Sequence, residues 1–567
     1  MKQNFFSEIV ELIKNNKPNK KQLAVEKTKL CKKYHLKKIP TDIEIMLNAG
    51  LKNIPKIKKF LLAKPTRTIS GVAVCAIMAK PYPCPHGKCI YCPGGPKSVF
   101  GSVPQSYTGK EPATRRAIRN KYNAYLQVMN RLEQYIVTGH VPDKIELIIM
   151  GGTFPSCSKT YQEEFIKNAL QAMNDFSSLF IKNSTLDLIK FKEFFQLPGD
   201  ITNKIRTKNI QKKLLKIKNS IETTLEKEQI KNEKLNIRCV GLTIETRPDY
   251  GKLKQGNEML RLGCTRVELG VQTVYDKVLE KIERGHSVRD SIDSTRILKD
   301  LGFKINYHIM PGLPTVTKKQ DLDALKTLFK NENFKPDMLK IYPCMVMKGT
   351  KLFEDWKKGK FRPITTEEAA ELIAEMKKFV PEYCRIMRVQ RDIPTFVTSA
   401  GVNKTNLRQY VEKICKKKGI KCRCIRCREA GINTEKMNLR DIKIKITEYK
   451  ASKGKEFFIA AEYPKKDILF GYCRLRFPSQ LLRKEITKDS ALIRELHVYS
   501  LAVQIGKKSK ESFQHRGIGK KLMEKAEKIV KQNNKKKIVV ISGIGAKQYF
   551  AKLRYKHDGP YMSKILN

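Results

Sequence analysis

The sequence predicts an α/β protein in which a partial parallel (β/α) barrel is followed by a separate α+β domain and preceded by a basic helical segment. The chain has 567 residues, too long for one core at roughly 150 residues per domain. Short β-rich runs alternate with helical runs across residues 68–400, which is typical of parallel strands joined by helices. Residues 441–567 follow a different order, in which four strand-like runs precede the first helix.

The N-terminal residues 1–67 are predicted to be helical and strongly basic. They contain 17 Lys and Arg residues against 5 Asp and Glu residues. Phe5, Ile9, Leu12 and Ile13 recur at helical spacing, which indicates one apolar face. Two interpretations stay open: an arm that binds a polyanion, or a solvated helical cap on the next domain.

Residues 68–400 supply the predicted barrel. Strand-like runs lie at 69–77, 144–150, 239–244, 266–270, 303–309 and 338–342, and helical runs at 160–173, 276–283, 288–301 and 320–330. Parallel β/α folds carry their chemistry at the C-terminal ends of the strands, so polar residues at those ends are candidates for a site. The Lys- and Asn-rich stretch 176–238 interrupts the alternation and is predicted to be a partly disordered insertion.

Residues 401–440 are predicted to form a basic linker that binds zinc. Residues 401–430 contain 10 Lys and Arg residues, 2 acidic residues and four cysteines. Cys422, Cys424 and Cys427 lie within six residues, a spacing that favours zinc, and Cys415 is a candidate fourth ligand. The α+β domain that follows has predicted strands at 442–449, 456–463, 468–477, 491–498 and 537–542, and predicted helices at 518–531 and 546–553.

The composition predicts an intracellular protein that binds a polyanion. The chain has 114 Lys and Arg residues and 56 Asp and Glu residues, so its formal net charge is +58. This charge predicts attraction to nucleic acid first and to anionic membrane second. The alternative is a composition biased towards lysine for no functional reason. Fifteen cysteines in clusters indicate metal sites in a reducing compartment. The N-terminus lacks a secretory signal pattern and the uncharged stretch 68–79 is too short to span a bilayer, so we expect a cytoplasmic protein that does not enter membranes.

A loop with three cysteines, Cys84-x4-Cys89-x2-Cys92, follows the first predicted strand of the barrel. Three thiolates on an iron–sulfur cubane leave one iron open for an exchangeable ligand, whereas four would favour zinc or an electron-transfer cluster. His86 offers a fourth ligand for zinc. The spacing alone therefore leaves both a 4Fe-4S cluster and a zinc knuckle open.

The context of the cysteine loop favours the cluster. Glycines and polar residues follow the next predicted strands, where they converge on one cavity: Gly151, Gly152, Thr153, Glu245, Arg247 and Gln272. This arrangement resembles the radical S-adenosylmethionine superfamily, although the commonest spacing there has three residues, not four, between the first two cysteines. The resemblance implies that Cys84, Cys89 and Cys92 hold a 4Fe-4S cluster and that the strand-end residues contact S-adenosylmethionine.

A glycine-containing loop, Gln514-His-Arg-Gly517-Ile518-Gly519, precedes a predicted helix in the second domain. Glycines at a helix N-terminus expose backbone N–H groups to a pyrophosphate. The loop and its flanking elements resemble the coenzyme A site of Gcn5-related acetyltransferases. That resemblance implies contacts with acetyl-CoA from Glu495, Leu496, His497, Val498, Gln514, Gly517, Ile518, Gly519, Lys520, Tyr549 and Phe550.

With both motifs on one chain, the sequence resembles the catalytic subunit of Elongator, which modifies the wobble uridine of tRNA. Matching segments run through nearly the whole chain, at 67–73, 106–112, 150–154, 241–249, 266–272, 310–314, 422–429, 494–499 and 559–562. The resemblance implies that acetyl-CoA and S-adenosylmethionine radical chemistry form 5-carboxymethyluridine at position 34 of a tRNA, whose anticodon stem-loop enters the barrel. An external electron donor is then required, and a homodimer is compatible with the sequence.

The same resemblance suggests three catalytic residues, Lys144, Glu245 and Tyr549. Lys144 matches a lysine that contacts acetyl-CoA, and Tyr549 would donate a proton to the thiolate leaving group. The sequence departs from the family at the next position, because the family often has a Tyr-Tyr pair where this chain has Tyr549-Phe550.

Two other functions are compatible with parts of the sequence. A histone-type lysine acetyltransferase would use only the second domain, but a net charge of +58 repels basic protein tails. A tRNA-binding scaffold would hold a structural metal in the first cysteine loop. Product analysis tests the first alternative, and anaerobic reconstitution of the cluster tests the second.

Overall fold

The structure is a computed structural model that describes residues 2–36, 38–50, 52–61, 71–199, 203–430, 441–499 and 517–566. The predicted coenzyme A contact Gln514 and residues 431–440 of the predicted linker lie outside these ranges. Across the described ranges, the chain forms a helical N-terminal unit, a seven-stranded parallel sheet and a seven-stranded mixed sheet. None of the helices described here combines the length and apolar character needed to cross a membrane.

The N-terminal unit consists of four helices, α1 (Lys2–Asn16), α2 (Lys20–Lys33), α3 (Asp42–Asn48) and α4 (Ile54–Leu61). Capping boxes begin α2 and α3, which satisfies backbone N–H groups at both helix starts. The apolar faces bury a core separate from that of the barrel, formed by residues that include Phe5, Ile9, Ile13, Leu23 and Ile45. A hydrogen bond of 2.6 Å from Lys192 Nζ to the Leu47 carbonyl joins this unit to the next part of the chain.

The barrel region and linker contain thirteen described strands and fourteen described helices. The strands are β1 (Ala73–Met78), β2 (Gly95–Ser98), β3 (Gly101–Val103), β4 (Lys144–Met150), β5 (Ile181–Lys182), β6 (Thr185–Leu186), β7 (Arg238–Thr246), β8 (Arg266–Gln272), β9 (Lys304–Ile309), β10 (Met338–Ile341), β11 (Val346–Met347), β12 (Arg385–Val389) and β13 (Thr398–Ala400). The helices are α5 (Pro112–Arg119), α6 (Ala124–Val137), α7 (Lys159–Phe180), α8 (Leu188–Phe194), α9 (Lys204–Asn219), α10 (Leu225–Asn232), α11 (Leu253–Arg261), α12 (Asp276–Lys281), α13 (Val288–Asp300), α14 (Lys318–Lys330), α15 (Lys351–Lys357), α16 (Thr366–Met376), α17 (Leu407–Lys417) and α18 (Ile425–Arg428).

Seven of these strands form one sheet in the order β1-β4-β7-β8-β9-β10-β12, and every neighbouring pair is parallel. Their side chains are largely apolar because helices cover the sheet; Ile145, Leu147 and Ile149 of β4, for example, are fully buried. Since all seven strands run in one direction, their C-terminal ends meet at one edge. The predicted α/β fold with a partial parallel barrel is confirmed.

The prediction of a partly disordered insertion at 176–238 is wrong for the residues that the structure describes there. Helices α8, α9 and α10 together account for about half of the segment. Apolar side chains of the segment join the main hydrophobic core, among them Phe191, Phe195, Ile210, Leu214 and Leu225. The Lys- and Asn-rich composition is misleading because those polar residues cover the solvent side of amphipathic helices.

The second domain contains β14 (Lys443–Ala451), β15 (Gly454–Tyr463), β16 (Ile468–Phe477), β17 (Ser490–Val498), β18 (Lys537–Val540), β19 (Lys556–Asp558) and β20 (Tyr561–Ile565), with helices α19 (Ile518–Gln532) and α20 (Lys547–Lys552). The sheet order is β14-β15-β16-β17-β18-β20-β19. Only the pair β17 and β18 is parallel among the strand pairs described in this sheet. The predicted α+β domain is therefore present, and β19 and β20, which follow the last predicted helix, were missed.

Buried ion pairs join the mixed sheet to the barrel. Arg494 on β17 donates to both carboxylate oxygens of Asp337, at 2.6 and 2.8 Å, and Arg476 on β16 donates to Asp300 at 2.8 Å. Both arginines also bind Glu456. Asp300 and Asp337 precede β9 and β10, so the second domain packs against the N-terminal ends of the barrel strands, opposite the edge where the strands end.

Candidate active site

The cysteine loop lies between β1 and β2 and places three thiols beside the ends of β1 and β4. Cys92 Sγ accepts a hydrogen bond from the Ser106 N–H at 3.2 Å, and Cys84 Sγ lies 3.7 Å from Thr153 Oγ1. Burial raises the pKa of Cys84 and of Cys92, and Cys89 is also buried. Three thiols on one loop are the donor set that an iron–sulfur cluster with one open iron requires.

Two side chains that the sequence analysis missed lie beside this loop. Arg284 Nη1 is 3.7 Å from Cys89 Sγ, and its Nη2 donates to the Gly270 carbonyl at 2.8 Å. Burial, together with Arg284 and Arg247, lowers the pKa of His286 to about 2, so that this imidazole is neutral. A sequence signal existed, because Arg284-Gly-His286 begins three residues after the end of α12, in a connection between two barrel strands.

The strand-end glycines form a cradle that fits a ligand next to the cysteines. Gly151 and Gly152 have φ values of 124° and 88°, which side chains rarely adopt. A Cβ on Gly152 would lie 3.2 Å from Gln105 Cβ and 3.8 Å from Cys84 Sγ. Buried polar atoms without a partner in the described part of the chain line the same cavity and suit a polar ligand: Gln272 Oε1, Arg247 Nη1 and Arg284 Nε.

A charged cluster occupies the centre of the cavity. Glu245 accepts a hydrogen bond from Tyr107 Oη at 3.0 Å and lies 3.5 Å from Lys340 Nζ. Glu268 is fully buried, forms an ion pair with Lys340 and lies 2.8 Å from His308 Nε2. Burial alone would raise the pKa of Glu268, but Lys340 and His308 hold it well below its ordinary value. Of this cluster, Glu245 was predicted, whereas Tyr107, His308 and Lys340 were missed.

The predicted acetyl-CoA elements meet in a cleft of the second domain. Gly517, with φ 83°, is the N-cap of α19, and no side chain among the described residues caps this helix N-terminus. Residues 490–493 of β17 pair with β18, so in the described structure residues 495–498 have a strand neighbour only on the β16 side. A Cβ on Gly519 would lie 2.7 Å from Tyr549 Oη and 3.7 Å from Val498 Cγ2. The diverging strands, the helix N-terminus and the tyrosine hydroxyl therefore line one cleft.

The residues predicted to contact acetyl-CoA in this cleft differ in orientation and in solvent exposure. The carboxylate of Glu495 accepts from Arg474 Nε at 2.9 Å, and the His497 ring stacks on Tyr472, so these two side chains face the barrel. Phe550 belongs to the hydrophobic core and contacts Tyr549 edge-on. The remaining predicted residues range from buried Ile518 through half-buried Leu496 to exposed Lys520.

Lys144 lies away from the cysteine loop, at the N-terminal end of β4. It pairs with Arg238 of β7, and its Nζ is 3.3 Å from Asp143 Oδ2. Gly545 of the second domain packs on Arg238, because a Cβ on Gly545 would lie 2.4 Å from Arg238 Cβ. The structure thus brings Lys144 to the side of the barrel on which the second domain packs.

The second cysteine cluster lies at the junction of the two domains. Cys424 Sγ and Cys427 Sγ are 3.6 Å apart, and the three sulfurs of Cys422, Cys424 and Cys427 lie within 4.8 Å of one another. Tetrahedral zinc holds its thiolates about 3.8 Å apart, given Zn–S bonds of about 2.3 Å. Burial would lower the pKa of Lys377, but all four nearby thiols, including that of Cys415, raise it. Cys415 thus shares Lys377 as a neighbour with these cysteines, but its sulfur lies outside the group of three within 4.8 Å.

Family profiles cover most of the chain. The radical SAM superfamily profile matches residues 81–328, and the radical SAM C-terminal domain profile matches residues 336–417. The acetyltransferase (GNAT) family matches residues 427–554, and the ELP3 N-terminal domain matches residues 2–69.

Similar proteins share this arrangement over nearly their full length. A tRNA uridine(34) acetyltransferase of Methanocaldococcus jannaschii is 46% identical over 93% of this chain and 90% of its own. Elongator complex protein 3 of Schizosaccharomyces pombe is 40% identical over 98% of this chain and 97% of its own. A solved structure of Elp3 from Methanocaldococcus infernus, with N-terminal residues 1–46 deleted, superposes with a TM-score of 0.71 at 41% identity, covering 88% of this chain and all of that one.

Proposed function

The chain belongs to the family of tRNA uridine(34) acetyltransferases and Elongator complex protein 3, and from this premise we propose that it converts the wobble uridine of tRNA into 5-carboxymethyluridine. The observation that carries the proposal is the pairing of two sites in one chain. A cavity lined by Cys84 of the cysteine loop lies at the C-terminal edge of the barrel, and the cleft between the diverging strands β17 and β18 lies in the domain packed against the opposite ends of the barrel strands.

The barrel site suits a 4Fe-4S cluster and S-adenosylmethionine. Cys84, Cys89 and Cys92 would hold the cluster, and Gly151, Gly152 and Thr153 would face the methionine end of S-adenosylmethionine. The chemistry supplied when both are bound is abstraction of a hydrogen atom from the methyl group of an acetyl unit. Arg284 places its guanidinium 3.7 Å from the Cys89 sulfur, beside the proposed cluster.

The second domain would bind acetyl-CoA through backbone groups. The edge of residues 495–498, which has no strand partner on the β18 side within the described ranges, would offer N–H donors to the acetyl carbonyl, and the N-terminus of α19 would offer N–H groups to the pyrophosphate. Burial raises the pKa of Tyr549 to about 12, so its hydroxyl stays protonated at neutral pH and can donate a proton to the coenzyme A sulfur. Lys144, on the side of the barrel facing this domain, would neutralise phosphate charge.

The remaining cofactor and partners follow from charge and geometry. Cys415, Cys422, Cys424 and Cys427 would bind a structural zinc ion at the domain junction. The basic residues of 1–67 and 401–430 would contact phosphates around the anticodon stem-loop. We further propose that the protein acts in the cytoplasm, receives its electron from an external donor, and can form a homodimer.

An omission experiment tests this function. Anaerobically reconstituted enzyme is incubated with tRNA, acetyl-CoA, S-adenosylmethionine and a reductant, and the tRNA nucleosides are analysed by mass. We expect 5-carboxymethyluridine only when all components are present. Modification that persists without S-adenosylmethionine or reductant would contradict the proposal.

The composition of the first cysteine loop needs a separate assay, since His86 Nε2 lies 3.2 Å from Cys89 Sγ and could complete a zinc site. Iron and zinc are counted in the reconstituted protein and in the Cys89→Ser variant. Loss of iron with retention of zinc in the variant agrees with a cluster at this loop. If neither protein binds iron and the variant loses zinc, the loop would instead hold a structural zinc ion in a tRNA-binding scaffold.

A further inference from the structure

The loop that carries the three thiols has an outer side that the proposed S-adenosylmethionine contacts do not use. Tyr91 lines the strand-end cavity, whereas its neighbour Ile90 lines a separate groove of about 540 Å³ on the other side, called the outer groove below. Cys89 and Cys92 flank these two residues directly in the sequence. The segment between the two cysteines is therefore part of the wall that separates the cavity from the outer groove.

This wall is held in place by α12 and α15. The N–H of Ile90 donates to the carbonyl of Ile282, the residue after α12, at 3.2 Å, and the N–H of Leu352 in α15 donates to the Ile90 carbonyl at 2.9 Å. Both helices also pack apolar side chains around the cysteines, among them Leu279 and Phe353. Tightly packed protein, only one residue deep at Ile90, thus lies between the outer groove and the nearest cysteine.

The outer groove has an apolar floor and a basic rim. Its floor includes the buried side chains of Leu313 and Ile364 and the half-buried ring of Phe361. Four exposed cations form the rim: Lys281, Lys318, Lys360 and Arg362. This combination suits the surface of another protein, because protein interfaces surround an apolar centre with a polar rim that stays in contact with water.

Two of the rim cations have no acidic partner in the described part of the chain. Lys318 and Arg362 both pair with Glu368, at 3.0 and 3.1 Å. No ion pair of the described residues involves Lys281 or Lys360, although both side chains are exposed at the groove. These two lysines are therefore available to an acidic partner.

The acidic residues of the groove do not cancel its positive charge. Asp321 and Asp355 are the carboxylates that line it. Asp321 is buried and accepts a hydrogen bond from the Gly312 N–H at 2.8 Å; burial raises its pKa to about 7, so it carries only part of a negative charge at neutral pH. Even with Glu368 counted, the four rim cations outweigh the nearby carboxylates, and the groove attracts an acidic surface.

We propose that the outer groove is the docking surface for an acidic protein that carries one electron on a flavin or an iron–sulfur group. The acidic face of this carrier contacts the rim cations, and its redox group approaches the cysteine loop at Ile90. One electron leaves the carrier and reduces the cluster by one electron, and no atom or proton is transferred. The inference rests on the proposed function, which needs an external electron donor, and adds to it the place and the chemistry of that donor.

A small redox protein fits the outer groove better than RNA does. Electron-transfer complexes have small interfaces and short lifetimes, so a single groove with a charged rim is large enough to form one. Opposite charges on the two surfaces speed the encounter. A ribose-phosphate backbone would contact the rim but would leave the apolar floor without a matching partner.

Zero-length crosslinking tests the location without depending on turnover. The full-length reconstituted protein is mixed with a flavodoxin, a small acidic flavoprotein, and treated with a carbodiimide that joins carboxylates to lysine amines. The crosslinked peptides are then mapped by mass. We expect crosslinks at Lys281, Lys318 or Lys360. Crosslinks confined to the N-terminal helices, to α9 or to α17 would overturn the assignment.

Variants test the role of the groove in electron delivery. Reduction of the cluster is followed by its visible absorbance, once with reduced flavodoxin and once with dithionite, and the ratio of the two rates is compared. Lys281→Glu combined with Lys360→Glu should lower this ratio roughly tenfold or more at low salt, because like charges then face each other. Lys208→Glu combined with Lys212→Glu is the matched control, since these exposed residues of α9 give the same change in net charge away from the groove. Equal ratios in the wild type and both double variants would refute the proposal.

Binding of tRNA distinguishes the electron carrier from the substrate. The double variant at Lys281 and Lys360 should weaken tRNA binding no more than the control at Lys208 and Lys212 does. A larger loss would assign the outer groove to RNA and overturn the proposal. Failure of the proposed function is distinguishable, because tRNA would then stay unmodified in the omission experiment with a chemical reductant, whereas a wrong docking surface alone would leave that product unchanged.

Discussion

Gly152 illustrates how the site depends on single backbone positions. Its φ of 88° disfavours any side chain, and a Cβ at this position would lie only 3.2 Å from Gln105 Cβ. The need for glycine at this position could be predicted from the sequence, because two glycines directly follow a β-rich run. The hydrogen bond from Arg391 to the Ser106 carbonyl could not be predicted from the sequence. The two residues are 285 positions apart, and only the folded barrel brings them together.

We predict that Gly152→Ala weakens binding of S-adenosylmethionine. An alanine in this conformation costs about 1–2 kcal/mol, equivalent to a roughly five- to thirtyfold loss of affinity if the backbone must shift. Equilibrium dialysis of the reconstituted protein measures the effect. Gly419→Ala is the matched control, since Gly419 also has a positive φ but has open space around it. Equal affinities for both variants would show that the cradle is not the binding site.

At the scale of elements, the strands of the mixed sheet are joined to the barrel by buried charge rather than by apolar packing alone. Arginine and apolar residues alternate at the end of β16, a pattern typical of a strand with one solvated face. The structure instead buries Arg474 and Arg476 fully, because acidic residues that precede barrel strands reach the same space. The positions of the strands could thus be predicted from the sequence pattern. The part of the molecule that packs against each face of a strand could not.

We predict that Arg494→Met destabilises the protein by about 3–5 kcal/mol, because it leaves the carboxylates of Asp337 and Glu456 buried with one cation fewer. Denaturant unfolding measures the loss. The control Arg289→Met removes the exposed pair with Asp293 and should cost at most about 1 kcal/mol. Similar losses in both variants would contradict the importance of the buried network.

The same network predicts the acid sensitivity of the fold. Burial would raise the pKa of Asp337, but Arg494, Lys299 and Arg474 hold it far below its ordinary value. Since the folded pKa is the lower one, the stabilisation is complete above the unfolded pKa of about 3.9 and disappears as the pH falls below it. The free energy of unfolding should therefore drop steeply below about pH 4 in wild type and less steeply in Asp337→Asn. A parallel pH dependence in both proteins would contradict this account.

The junction cluster gives a prediction for metal content. If Cys415 is the fourth ligand, Cys415→Ser should lower zinc to well below one ion per chain after dialysis against a weak chelator. Cys31→Ser, at a buried cysteine of the N-terminal unit, should retain the zinc. Full zinc retention in Cys415→Ser would require another fourth ligand.

At the scale of the whole molecule, the net charge of +58 indicates a polyanionic partner but does not locate the contact surface. Family membership identifies tRNA as the substrate of the relatives, and the described structure separates two groups of exposed lysines. One group lies on α17 and the residues after it, and the other lies on α9 in the segment once expected to be disordered.

We predict that the two groups differ in their effect on tRNA binding. Replacing Lys413, Lys416, Lys417 and Lys421 by Gln should weaken binding and reduce the slope of log affinity against log salt by roughly one per lost phosphate contact. The same four changes at Lys204, Lys208, Lys212 and Lys216 of α9 should alter both quantities far less. Equal effects would show that the charge acts as a uniform field.

The most direct test of the central claim follows the hydrogen atoms of acetyl-CoA. The enzyme is incubated anaerobically with tRNA, S-adenosylmethionine, reductant and acetyl-CoA whose methyl group carries three deuterium atoms. The account predicts 5-carboxymethyluridine with two deuterium atoms and 5′-deoxyadenosine with one, because a single deuterium leaves the methyl group before carbon 5 of the uridine is joined to it. A protein lysine or a tRNA nucleoside that carries all three deuterium atoms, with none in 5′-deoxyadenosine, would contradict it.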